Sequence, residues 1–149
     1  MELPLAQSLD LANHHAAATP GDIKKICADV TTYGFNAVFV NPAYISLARS
    51  HLARLELAGK AKVGTAISFP LGQEELVIKV ASAMQAIKAG ADELDVVPNL
   101  GLFIEGADDQ FLVEMKTIVT AVRNQGKTTI VKFIIDTGYL DPLPDASDR

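Results

Sequence analysis

Apolar residues fall along the chain in two alternating rhythms, short unbroken runs and longer stretches that repeat every three or four positions. Leu5 to Leu11 ends in a short strand-like segment, and Asn13 to Ala18 follows as a small-residue loop. Thr19-Pro20-Gly21-Asp22 is then a helix start, with Thr as N-cap, Pro at the first helical position and Asp in the first turn. Ile23, Ile26, Cys27, Val30 and Tyr33 continue at helical spacing to Gly34. Asn36 to Val40 reads as the second strand, stopped by Asn41-Pro42. Ile45, Leu47, Ala48, Leu52 and Leu55 mark a second helix, and Lys62 to Phe69 a third strand closed by Pro70-Leu71-Gly72.

The second half repeats the alternation. Glu74 to Ala89 carries Leu76, Val77, Val80, Ala81, Met84 and Ile87 on one stripe, with Gly90 as its stop. Ala91 to Asn99 contains the fourth strand, Leu-Asp-Val-Val at its centre, and Asn99 to Gly106 reads as a loop. Phe111, Leu112, Met115, Ile118, Val119 and Val122 make the fourth helix, and Thr128 to Asp136 the fifth strand. The predicted order is β-α-β-α-β-α-β-α-β, which implies right-handed crossovers and a parallel sheet covered by helices.

Two α/β architectures fit this order. A doubly wound five-stranded sheet would be complete at 149 residues, whereas a (β/α)8 barrel needs ~250 and would here comprise about its first five strands and four helices. Charged residues inside the runs decide between them. Alternation places Glu93, Asp95 and Val97 on one face of the fourth strand, so Asp95 projects from its middle. Lys132 occupies the middle of the fifth. A doubly wound sheet packs both faces of a central strand on helices and offers such charges no polar surroundings, while an unpaired buried ion costs several kcal/mol, roughly. A barrel interior lets them meet. The chain therefore reads as one domain over residues 1–149, an incomplete TIM barrel with Asp95 and Lys132 as a candidate site and Asp10 as another acid among apolar neighbours. Sequential strand order would support the barrel, and a reversal at a switch point the open sheet.

Composition narrows the function. With 49% hydrophobic and 21% charged residues the chain can bury a core, and a net charge of -5 without like-charge runs provides no footprint for nucleic acid or anionic membrane. A single cysteine, Cys27, excludes disulfides and thiolate metal sites within the chain and suggests a reducing compartment, with the cytoplasm the expected location. No stretch approaches the ~20 apolar residues of a membrane span, and the N-terminus lacks a signal-peptide pattern. His14 and His15 are adjacent and diverge, so with His51 they read as surface residues rather than metal ligands. No glycine-rich nucleotide motif is present.

Five collinear segments carry a resemblance: Leu9-Asp10-Leu11; Gly34 to Pro42 (Gly-Phe-Asn-Ala-Val-Phe-Val-Asn-Pro); Ser68-Phe69-Pro70-Leu71-Gly72; Gly90 to Val97; and Val131 to Leu140. In order and spacing they resemble deoxyribose-phosphate aldolase over nearly the whole chain. The resemblance implies a cytoplasmic class I aldolase that reversibly cleaves 2-deoxyribose 5-phosphate to acetaldehyde and glyceraldehyde 3-phosphate through a lysine Schiff base, without metal or other cofactor. It implies an acid/base role for Asp95, a supporting, charge-tuning role for Lys132 and a site position for Asp10. The family's Schiff-base lysine on the sixth strand, in a Lys-Thr-Ser-Thr-Gly motif, its second lysine on the seventh and its phosphate-binding glycines and serines are not in this chain. The chain alone is therefore expected to be inactive, with self-association or the C-terminal part of the barrel as its partner. Phe39, where some relatives have cysteine, and Asn13-His14-His15 depart from the pattern and bear on acceptor preference. The bland alternatives are a structural Asp95–Lys132 pair and a non-catalytic five-stranded binding or regulatory module.

Overall fold

The computed structural model describes residues 5–55, 61–126 and 128–139. Five strands, β1 (Asp10–Asn13), β2 (Ala37–Val40), β3 (Lys62–Ile67), β4 (Glu93–Val96) and β5 (Ile130–Phe133), form one parallel sheet in the order β1-β2-β3-β4-β5. No strand order reverses, so the sheet has the sequential order of a barrel. The crossovers are α1 (Pro20–Tyr33), α2 (Ile45–Arg54), α3 (Leu76–Ala89), and α4 (Leu100–Glu105) with α5 (Asp108–Arg123).

Local sequence sets the ends of these elements. Thr19 caps α1 in a capping box with Asp22, Pro20 opens it, and Gly34 ends it in the left-handed conformation at φ 72. Leu5–Ser8 forms a 3-10 turn rather than strand, which leaves β1 to begin at Asp10. The expected loop from Asn99 to Gly106 contains α4, capped by the Asn99 side chain accepting from the Gly101 amide. With six residues, α4 is too short to display a period, and Gly101 disguises it further. The tail after Tyr139, including the expected entry to a further helix, lies outside the described residues.

The two faces of the sheet differ in kind. One carries Val38, Val40, Val63, Ile67, Leu94 and Val96, which pack with Ile23, Cys27, Ile45, Leu52, Ile87, Ile118 and Val122 from the helices into a single core. Burial raises the Cys27 thiol to about 11, as befits a small core residue. By strand alternation and register, the other face carries Asp10, Phe39, Lys62, Gly64, Ala66, Glu93, Asp95 and Lys132.

The apolar stripe of α3 packs on the core at Leu76, Val80, Met84 and Ile87, as expected, but not at Val77 or Ala81. Lys79, Ala83, Ala86 and Ile87 are its buried residues, whereas Val77 is 70% exposed. Lys79 Nζ donates to Gly72 O (2.6 Å), Val97 O (3.0 Å) and Glu114 Oε1 (2.5 Å), and Glu114 Oε2 accepts from the Asn99 amide. This pair ties α3 and α5 to the loop after β3 and to the end of β4.

Candidate active site

Lys132 is the hub of the inner face. Its Nζ lies 2.7 Å from Asp10 Oδ2, 3.0 Å from Glu93 Oε2 and 3.2 Å from Asp95 Oδ1. Two strands, β1 and β4, therefore bring three carboxylates to one ammonium on β5, and parallel register explains how: Asp95 and Lys132 are direct partners in the β4–β5 ladder. Glu93 Oε1 is also 2.7 Å from Lys62 Nζ, and the Asn36 amide donates to both Asp10 and Glu93. Beneath the ammonium, 4.5 Å away, is the Phe39 ring, a cation–π contact. That ring fits because residue 64 is glycine: a Cβ there would stand 2.3 Å from Phe39 Cζ.

The three carboxylates are not equivalent. Burial pushes Glu93 up, but its contacts with Lys62 and Lys132 leave it below the ordinary carboxylate range. Burial also pushes Asp95 up, and the Lys132 ammonium only partly offsets this, with Asp10 and Glu93 adding repulsion; Asp95 stays above its ordinary value. Its Oδ1 is buried and meets the Lys132 ammonium at 3.2 Å, a contact that lacks the alignment of a full hydrogen bond. Lys132 is pulled down by burial and held up more strongly by Asp10, Glu93 and Asp95, so it is a firm cation rather than a free amine. The arrangement can hold a proton on Asp95 beside a fixed positive charge, which suits acid/base work at a carbonyl carbon.

The DeoC/LacD family aldolase description matches residues 5–143. The chain belongs to this aldolase family. Among curated relatives, it is 37% identical over 136 residues to a deoxyribose-phosphate aldolase of Carboxydothermus hydrogenoformans, covering 91% of this chain and 58% of that protein. It is 38% identical over 138 residues to one from Thermococcus gammatolerans, covering 93% and 60%. The chain thus spans about 60% of the length of these relatives. Among solved structures, it superposes on the tetrameric deoxyribose phosphate aldolase of Aeropyrum pernix with a TM-score of 0.76 at 30% identity, covering 91% of this chain and 53% of that one. An aldolase designated QR15 gives 0.80 at 30% identity, covering 93% and 58%. The five-stranded sheet is accordingly an incomplete barrel of the aldolase type.

Within this aldolase fold, the structure brings Asp10, Asp95 and Lys132 together, as the sequence led us to expect. Glu93, Lys62 and Asn36 join them and were not singled out. For Glu93 the signal was present, since alternation already put it on the Asp95 face; Lys62 and Asn36 sit at strand starts, where polar residues read as ordinary solvent-facing ends. His14 is not isolated on the surface: its ring lies 5.4 Å from that of Phe69. Among the described residues no group of acidic, histidine or cysteine side chains could hold a metal ion, and no helix is long and apolar enough to cross a membrane.

Proposed function

We propose that this chain supplies the acid/base half of a Schiff-base aldolase acting on 2-deoxyribose 5-phosphate, with acetaldehyde and glyceraldehyde 3-phosphate as the cleavage products. Asp95 passes protons to and from the carbinolamine and enamine, Lys132 holds the local charge, and Asp10 anchors Lys132. The amine nucleophile and the phosphate cradle come from outside these 149 residues, so the chain by itself does not turn over. Its partner is the remainder of the barrel or, without it, a further copy covering the open edges of β1 and β5.

The observation that carries this reading is the convergence of Asp10, Glu93 and Asp95 on the Lys132 ammonium, on a sheet face that a barrel would enclose. Incubating the chain with acetaldehyde and borohydride, followed by intact-mass measurement, tests the assignment. No adduct is expected on the chain alone. Irreversible labelling at Lys132 would make it the nucleophile and overturn its supporting role.

A further inference from the structure

Glu93 is the least accessible carboxylate of the cluster, 2% exposed, and both of its oxygens are engaged. Oε1 accepts from Lys62 Nζ at 2.7 Å and from the Asn36 side-chain amide at 3.3 Å, and Oε2 lies 3.0 Å from Lys132 Nζ. The ladder pairs Glu93 with Gly64 and Asp95 with Ala66, so Glu93 stands one inward-facing position nearer the strand starts than Asp95. Barrel sites open at the opposite, C-terminal ends of the strands. Glu93 therefore lies beneath the reacting groups, walled in by Lys62, Asn36 and Lys132.

The two cations that bracket Glu93 are bound differently. Lys62 reaches it from the start of β3 and keeps 42% of its side chain exposed, whereas Lys132 is shared among three carboxylates. Asn36 ties the lower edge together: its side chain donates to Asp10 and Glu93, and its carbonyl accepts from the Lys62 amide. Of the three contacts to the Lys132 ammonium, that of Asp95 is the longest, 3.2 Å against 2.7 Å for Asp10 and 3.0 Å for Glu93. The charged groups facing Asp95 are Asp10 from β1, Glu93 from β4 with Lys62 of β3 behind it, and Lys132 from β5; β2 contributes the Phe39 ring and no charge. Burial disfavours the Asp95 anion, and Asp10 and Glu93 add repulsion that Lys132 only partly offsets.

We propose that Glu93 is a positioning residue: anchored by Lys62 and Asn36, it draws the Lys132 ammonium away from Asp95 and so keeps that carboxyl able to carry a proton. This deepens the aldolase reading and rests on it only for the role of Asp95. Lys62 is the moderating member, because the charge it balances on Glu93 no longer pulls on Lys132 or repels Asp95.

Titration of the Asp95 carboxyl, followed by its 13C shift in the full chain and in two variants, tests this. Glu93→Gln removes a repelling charge and a competitor for Lys132, and is expected to weaken proton binding at Asp95 roughly three- to tenfold. Lys62→Met removes the cation that balances Glu93, and is expected to strengthen proton binding at Asp95 roughly two- to fivefold. A Glu93 that only held the fold together would lower stability in both variants and leave the Asp95 titration where it is. An unchanged Asp95 titration in either variant, or a displacement in the same direction by both, overturns the proposal. Should Glu93→Gln fold poorly, Lys62→Met decides alone: stronger proton binding at Asp95 supports the proposal, and unchanged or weaker binding overturns it. Trapping with acetaldehyde and borohydride keeps the two readings apart. An adduct at Lys132 would overturn the roles assigned to Asp95 and Lys132 in the aldol chemistry, while the titrations would still judge Glu93.

Discussion

Lys79 and Lys132 are both lysines held by carboxylates inside the same small protein, and they are handled in opposite ways. Lys79 is 1% exposed, and its three donors meet three acceptors, Gly72 O, Val97 O and Glu114. Glu114 uses its second oxygen on the Asn99 amide. That pair is closed: no polar capacity of the ammonium is left over. Around Lys132 the balance is left open. Asp10, Glu93 and Asp95 share it with Lys62, three anions against two cations, and one Asp95 oxygen goes without a hydrogen bond. The Lys132 side chain remains 39% exposed. A buried charge pair marks architecture when every donor and acceptor is spoken for, and chemistry when one is deliberately left short.

Breaking the closed pair should have the largest effect on the fold. Lys79→Ala leaves Glu114 buried without its cation and two carbonyls without a donor, and should lower unfolding stability by about 3–5 kcal/mol, read as a shift in the urea midpoint. The double replacement Lys79→Met with Glu114→Leu should recover most of that loss, because two apolar groups need no pairing. If the double variant is as unstable as Lys79→Ala, the pair has a role beyond mutual satisfaction. Next in size is Glu93→Gln, expected to cost about 2 kcal/mol near neutral pH by weakening the contacts to both Lys62 and Lys132. Since the folded protein holds Glu93 below its ordinary value of 4.5, its contribution is present above that value and lost as the pH falls through the lower folded value. The gap between wild type and variant should close in acid, and a gap constant with pH would contradict the charge-based account.

The contrast also explains what could be read from the sequence. The alternation of elements, the parallel sheet and the shared face of Glu93 and Asp95 follow from periodicity, and the ions that interrupt the apolar runs of the fourth and fifth strands favour a barrel and hence its sequential strand order. The charge at Asp95 was conspicuous in its strand, and so was Lys132. Lys79 was not. A lysine among helical positions reads as solvated, and the α3 stripe was accordingly drawn through Val77, which proves exposed. Only the three-dimensional approach of Gly72, Val97 and Glu114, from 7 to 35 positions away, makes burial of Lys79 affordable.

The floor under Lys132 permits a sharper probe of the open cluster. Gly64→Ala would force the Phe39 ring away from its present place, with a Cβ at 2.3 Å from Cζ. Overpacking of this kind costs about 1–3 kcal/mol. A variant with unchanged thermal stability would mean that the ring relocates freely, and that its contact with the ammonium is incidental. A lowered melting temperature accompanied by a changed Asp95 titration, followed by carboxyl 13C shifts, is the expected result.

The smallest expected change in stability has the opposite sign. Asp95→Asn removes a carboxylate that burial already disfavours and should stabilise the fold at neutral pH by about 1 kcal/mol, as replacements of strained functional groups often do. The pH dependence follows from linkage. The folded protein holds Asp95 above its ordinary value of 3.8, so between that value and the raised one the folded state carries the extra proton. Stability contributed by the protonated form is present below 3.8 and is lost as the pH rises through the raised folded value. The advantage of Asp95→Asn should therefore appear on moving up through mildly acidic pH and vanish below it, the reverse of the Glu93→Gln profile two residues away on the same face. Urea unfolding of the two variants across that range measures both slopes. If Asp95→Asn instead destabilised the protein at neutral pH, Asp95 would be a satisfied partner of Lys132 after all, and the distinction between the closed and the open cluster would fail.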